Sequence, residues 1–149
     1  MRVDFYHLKT SPVEKALPQL LERALATGQR AVVLAASEDR IESLGNALWT
    51  SNPDSWLPHG SAKDGTPADQ PIWLTDRDEN PNGAKLIFLT DGMASERLAD
   101  FDRCFDLFDG NNEDATTAAR ARWSTAKAGG HDLHYWQQTD AGWKEQGAS

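Results

Sequence analysis

Arg120, Trp123 and Lys127 recur at helical spacing, with Arg122 among them and no acidic residue between Ala115 and His131. At about 100° per residue the three fall on one face of a helix. The chain as a whole is acidic, with a formal net charge of −8. Two cations flanking an indole on an acidic body can receive something anionic and partly apolar. A guanidinium forks onto a carboxylate, and an indole walls a slot for an apolar side chain. The same residues also fit a plainer role. Cations in a last helical turn stabilise the carboxyl end of the helix, and Trp123 can simply pack a helix onto a sheet.

Other chemistry is harder to assemble. The turn after the first expected strand is Lys9-Thr10-Ser11-Pro12, and the turn after the second is Ala36-Ser37-Glu38-Asp39. Neither is glycine-rich, and two carboxylates in a helix's first turn satisfy its dipole and repel phosphate. Gly60-Ser61-Ala62-Lys63-Asp64-Gly65-Thr66 has loop glycines without a Gly-Lys-Ser/Thr sequence after them. His7 and His59 are isolated, and His131 and His134 lie three apart on an expected strand, so they face opposite sides. Cys104 sits in an apolar strand, where a buried inert thiol is the default. Asp91-Gly92 reads as a turn with no assignable catalytic partner. Asp100, Asp102, Asp106 and Asp109 read as a solvated face and strand cap. The expectation is a binding protein with no catalytic site, no metal and no cofactor. The alternative is a small enzyme or nucleotide-binding protein whose site carries no motif.

These residues need a scaffold. Residues 2–8 predict a strand. Ser11-Pro12-Val13-Glu14 predicts a helix start with a serine cap and a glutamate closing a capping box; Pro18 interrupts the helix and Gly28 stops it. Residues 31–35 are a continuous apolar run, as in a central parallel strand. Ser37 caps a second helix that buries Ile41, Leu44 and Leu48. A loop over 50–71 leads to strands at 71–74, 85–89 and 101–108, with a helical turn within 93–100. Asn112 caps the last helix, Gly129 or Gly130 ends it, and a strand follows at 131–137. Strands alternating with helices predict an open, mostly parallel α/β sheet. The domain is expected over 1–138, with a loose polar tail over 139–149 apart from Trp143. One cysteine excludes an internal disulfide framework. No run is long and apolar enough to cross a bilayer, and the amino terminus has no hydrophobic signal core, so a cytoplasmic location is expected. An acidic chain is poorly suited to coat DNA. Six tryptophans, several in polar surroundings, favour a protein-binding surface.

The segment Ala47-Leu48-Trp49-Thr50-Ser51-Asn52-Pro53-Asp54-Ser55-Trp56-Leu57-Pro58-His59 resembles the signature region of the chi subunit family of bacterial DNA polymerase III holoenzyme. Three further pieces agree in order: Phe5-Tyr6-His7-Leu8, the Gly28-x-Arg30-Ala31-Val32-Val33-Leu34 strand entry, and the Arg-x-Arg-aromatic helix at Arg120 to Trp123. The resemblance runs from about Val3 to Tyr135. It implies a single Rossmann-like domain, with helices on both faces of the sheet and no nucleotide-binding or polymerase chemistry. It implies an accessory subunit of the clamp-loader part of the replicase that binds the acidic C-terminal tail of single-stranded-DNA-binding protein, and DNA only indirectly. It further implies binding to a small psi subunit or another clamp-loader component. By matching positions, Arg120, Trp123 and Lys127 are carried over to the tail site, with Ser124 standing where the family often has a further cation. Trp49, Trp56 and Pro58 are carried over to the psi-facing or clamp-loader-facing surface.

Overall fold

A computed structural model describes residues 1–50 and 57–148. In chain order the elements are β1 (Arg2–Leu8), α1 (Val13–Leu25), β2 (Ala31–Leu34), α2 (Glu38–Thr50), β3 (His59–Gly60), β4 (Ile72–Thr75), β5 (Leu86–Leu89), β6 (Arg103–Asp109), α3 (Glu113–Ala128), β7 (Asp132–Thr139) and β8 (Gly142–Ala148). Single helical turns occur at Pro67–Asp69 and Leu98–Asp100. The strands form one sheet in the order β3-β4-β2-β5-β6-β1-β7-β8. Every pairing is parallel except β7 with β8. The expected mostly parallel α/β sheet is therefore present, with an antiparallel edge strand, β8, that was not expected.

β2 and β5 are apolar and buried along their whole length, as inner strands of a parallel sheet are. Side-chain alternation divides the core in two. Tyr6, Leu8, Ala31 and Val33 join one apolar cluster, and Val3, Phe5, Val32 and Leu34 join another. Leu17, Leu21, Leu44 and Leu48 of α1 and α2 belong to the first. Ala119 and Trp123 of α3 belong to the second. Burying a leucine contributes roughly 2 kcal/mol, so α1, with Leu17, Leu20 and Leu21 all buried, is anchored far more firmly than α3, whose buried face is mainly alanine and one indole.

Several local expectations change. The N-cap of α1 is Pro12, with no side-chain cap; Glu14 pairs with Arg40 of α2 instead of closing a capping box. α1 runs through Pro18, whose ring is buried. Ser37 does cap α2, its Oγ accepting from the Arg40 N–H at 3.3 Å. β6 begins at Arg103 rather than at 101. His131 precedes β7 rather than lying on it. The residues expected as a loose tail form β8, whose Trp143 ring stands edge-on to Tyr6 with centroids 5.0 Å apart. That indole is what holds an otherwise polar strand onto the apolar core. Among the described residues no helix is long and apolar enough to cross a membrane.

Candidate functional site: the α3 pocket

Asn112 starts α3 by accepting from the Ala115 N–H at 2.9 Å, and Glu113 and Asp114 complement the first-turn dipole. Trp123 is the one aromatic side chain of α3, and it packs toward the sheet beside the buried Ala119. Its half-buried ring meets Phe5 edge-on at 5.3 Å and Tyr135 at 5.9 Å. Phe5 and Tyr135 are register partners on β1 and β7. With Phe108, Thr116 and Ala119 these rings line a cavity of about 350 Å³, with Arg120 and Ser124 at its edge.

Arg120 is exposed and has no carboxylate partner among the described residues. Arg122 has the opposite fate. Its Nε donates to Asp106 Oδ2 at 2.6 Å and its Nη2 to Oδ1 at 2.9 Å. Asp106 is 2% exposed, so the expectation of a solvated acidic band fails there: β6 turns this carboxylate inward beneath α3, and burial pushes its pKa up despite Arg122. Lys127 is exposed one turn beyond Trp123 and does not line the cavity. The structure thus brings Arg120, Trp123 and Ser124 together and leaves Lys127 outside the group.

Behind the pocket, the Tyr135 hydroxyl bonds His7 Nδ1. Burial pushes the His7 imidazole below its ordinary range, and the charges of Lys9 and Arg120 act the same way. The His7 ring lies against Gly110, where an added Cβ would come within 1.8 Å of it. Sequence reasoning missed Phe5, Tyr135 and Phe108 as pocket walls. The available signal was the aromatic doublets Phe5-Tyr6 and Tyr135-Trp136, which on strands must send one ring to each face.

A larger cleft of about 750 Å³ lies at the carboxyl ends of the central strands, where α/β proteins commonly bind ligands. Its groups are largely engaged with one another. Arg40 bonds Asp91 at 3.1 Å and also pairs with Glu14, so Asp91 has a basic partner after all, held from a left-handed backbone with φ 56°. The N–H groups of Lys9, Thr10 and Ser11 converge on Gln138 Oε1 at 3.0, 2.9 and 3.1 Å. A side-chain amide from β7 thereby fills the position a phosphate would need. Cys104 is buried, its thiol pushed well up by desolvation. Among the described residues no set of three metal-ligating side chains gathers.

Trp49, near the end of α2, is 59% exposed and lies tilted against His59, with ring centroids 4.9 Å apart. Pro58 is partly exposed beside buried Leu57. Trp56 lies outside the described residues.

A mostly parallel α/β sheet carrying an aromatic-walled pocket, with an arginine at its edge that has no carboxylate partner among the described residues, defines an α/β protein with a candidate surface site. The chain belongs to the DNA polymerase III chi subunit (HolC) family, which it matches over residues 1–134. It is 34% identical over 84 residues to the probable DNA polymerase III subunit chi of Rickettsia prowazekii, a match covering 56% of this chain and 51% of that protein. The chain spans about half the length of this curated relative.

Proposed function

We propose that this chain is a non-catalytic, cytoplasmic accessory subunit of DNA polymerase III holoenzyme in DNA replication. On this reading the α3 pocket binds the acidic C-terminal tail of single-stranded-DNA-binding protein and so links it to the clamp-loader part of the replisome. Family membership supports the accessory role. The observation that carries the tail site is Arg120: an exposed guanidinium without a carboxylate partner among the described residues, at the mouth of a pocket walled by Trp123, Phe5 and Tyr135. A peptide ending in acids, an apolar side chain and a free carboxylate matches that arrangement group for group. Lys127 then acts as a longer-range attractor rather than a wall of the pocket. The body is read as one Rossmann-like domain over 1–138, with α1 and α2 over one sheet face and α3 over the other; the two-part core supports this.

Titrating the purified protein with the tail peptide tests the site. Arg120→Ala and Trp123→Ala should each weaken binding more than tenfold, which corresponds to about 1.4 kcal/mol, and raised salt should weaken the parent. Unchanged affinity in the double variant removes these residues from the site.

Trp49, Trp56 and Pro58 are proposed to face psi or another clamp-loader component. The exposed Trp49 ring supports this, since large exposed indoles concentrate at protein interfaces. Trp49→Ala should leave tail binding intact and weaken capture of the clamp-loader partner. Loss of tail binding in a folded Trp49→Ala protein would contradict two separate surfaces.

A further inference from the structure

On the sheet face opposite the α3 pocket lies a second cleft, of about 500 Å³, that the reading above leaves unused. Tyr6, Trp136 and Trp143 wall it, and Arg2, Arg23 and Arg103 stand around it. It arises from the same two aromatic doublets as the first pocket. Phe5 and Tyr135 point to one face of the sheet; Tyr6 and Trp136, also register partners, point to the other. Their rings are nearly parallel, 10° apart with centroids at 6.3 Å.

The cationic side of this cleft is pre-organised. Asp4 is 0% exposed within β1. Its carboxylate accepts from Arg103 Nε at 2.7 Å, from Arg2 Nε and Nη2 at 3.2 and 3.1 Å, and from Trp136 Nε1 at 3.1 Å. One buried carboxylate thus aligns two guanidinium groups and one indole. Arg103 is further held by the Phe105 ring, 4.4 Å below its guanidinium carbon. Only its Nε is engaged in a side-chain bond among the described residues, so the outer edge of the fork keeps its donors. Arg23 is exposed and has no carboxylate partner among the described residues. A fork fixed in place loses little freedom when it receives an anion.

We propose that this cleft is a second binding site, taking an acidic peptide segment of a partner protein. A carboxylate sits on the outer edge of Arg103 within reach of Arg23, and a neighbouring aromatic or long aliphatic side chain lies against Trp136 and Trp143. Charge complementarity selects the class. The three arginines outnumber Asp4 and Asp102, the acids at the cleft, leaving an excess of one positive charge on a protein of net charge −8. That excess suits one or two carboxylates. It is too small and too local for the cationic track that single-stranded nucleic acid needs.

The test uses the full chain labelled with ¹⁵N and the probe peptide acetyl-Asp-Asp-Phe with a free C-terminal carboxylate. Assigned indole N–H resonances separate the sites, since Trp123 reports on the α3 pocket and Trp136 and Trp143 on this cleft. Saturable shifts at Trp136 and Trp143 are expected. Arg23→Ala should weaken binding there at least threefold, and Arg103→Lys, which keeps the charge beside Asp4 but loses the fork, about tenfold. Neither should alter the Trp123 response, and Arg120→Ala should do the reverse, so failure at one site is distinguishable from failure at the other. The proposal is overturned by any of three results: Trp136 and Trp143 stay unmoved at millimolar peptide; acetyl-Asn-Asn-Phe-amide shifts them as strongly; or a short oligothymidylate moves them and the peptide does not.

Discussion

Arg120 and Arg122 are two positions apart on α3, a rotation of about 200° around the helix, and that rotation sends one guanidinium to solvent and the other to Asp106. Removing either partner of a buried pair leaves an uncompensated charge in a poorly solvated place. Arg122→Ala should therefore destabilise the fold by about 3 kcal/mol in urea unfolding, whereas Arg120→Ala should stay within about 0.5 kcal/mol. His7 makes a residue-scale prediction in pH. Its folded pKa is pushed below the unfolded value of about 6.5. As pH falls through that value the unfolded chain takes up the proton first, so the contribution of neutral His7 is fully present above it and is lost below. His134 works the other way: Glu145 and then Asp132 raise its pKa, so its contribution is present at low pH and fades as pH rises. Urea unfolding at a series of pH values should show that His7→Gln loses less stability than the parent on going from neutral to acidic pH. An unchanged slope would mean that His7 takes up its proton equally in the folded and unfolded chains, contrary to the depressed value.

At the scale of elements, the join between β1, β6 and β7 depends on close approach. Gly110 donates to the Leu8 carbonyl at 2.7 Å just past the end of β6. Gly110→Ala would place a methyl group 1.8 Å from His7 Cδ2 and 2.7 Å from the Leu8 oxygen. Overpacking of this kind costs about 1–3 kcal/mol, so the melting temperature should drop by several degrees. The loop between β1 and α1 depends on Gln138 instead. Gln138→Leu deletes the one oxygen that receives three N–H groups. Hydrogen exchange at Lys9, Thr10 and Ser11 should then accelerate at least tenfold, with the amides of β2 and β5 unaffected. Equal protection in the variant would show that those amides are shielded by something other than the glutamine.

For the whole molecule, the sheet works as a partition. It separates two aromatic-walled recesses, one beneath α3 and one beside α1, and each is flanked by arginine on a body that is otherwise negative. Under the proposed reading, such a body would repel polyanions at a distance and admit a single acidic chain end locally. The nucleotide-binding alternative has a whole-molecule readout of its own. Binding to the folded state raises the melting temperature by mass action. Millimolar ATP with magnesium should leave the melting temperature unmoved, since the cleft at the strand ends already pairs Arg40 with Asp91 and seats Gln138 against the loop amides. A clear upward shift would revive the enzyme reading.

Much of the architecture was legible in the chain because it rests on local pattern. The apolar run that became β2 and the strand that became β5 announce burial by composition, and Asn112 announces the start of α3. β3 is two residues long and carries no periodic signal. β8 is polar apart from Trp143 and becomes a strand because β7 offers it an unpaired edge. Spacing alone put Arg120, Trp123 and Lys127 on one helical face. Spacing did not decide which of the cations reaches the pocket, that Asp106 neutralises Arg122, or that Phe5 and Tyr135, 130 residues apart, become its walls. Those outcomes depend on which strands lie side by side and how far each helix is rotated on the sheet, and that is set by the packing of the whole chain.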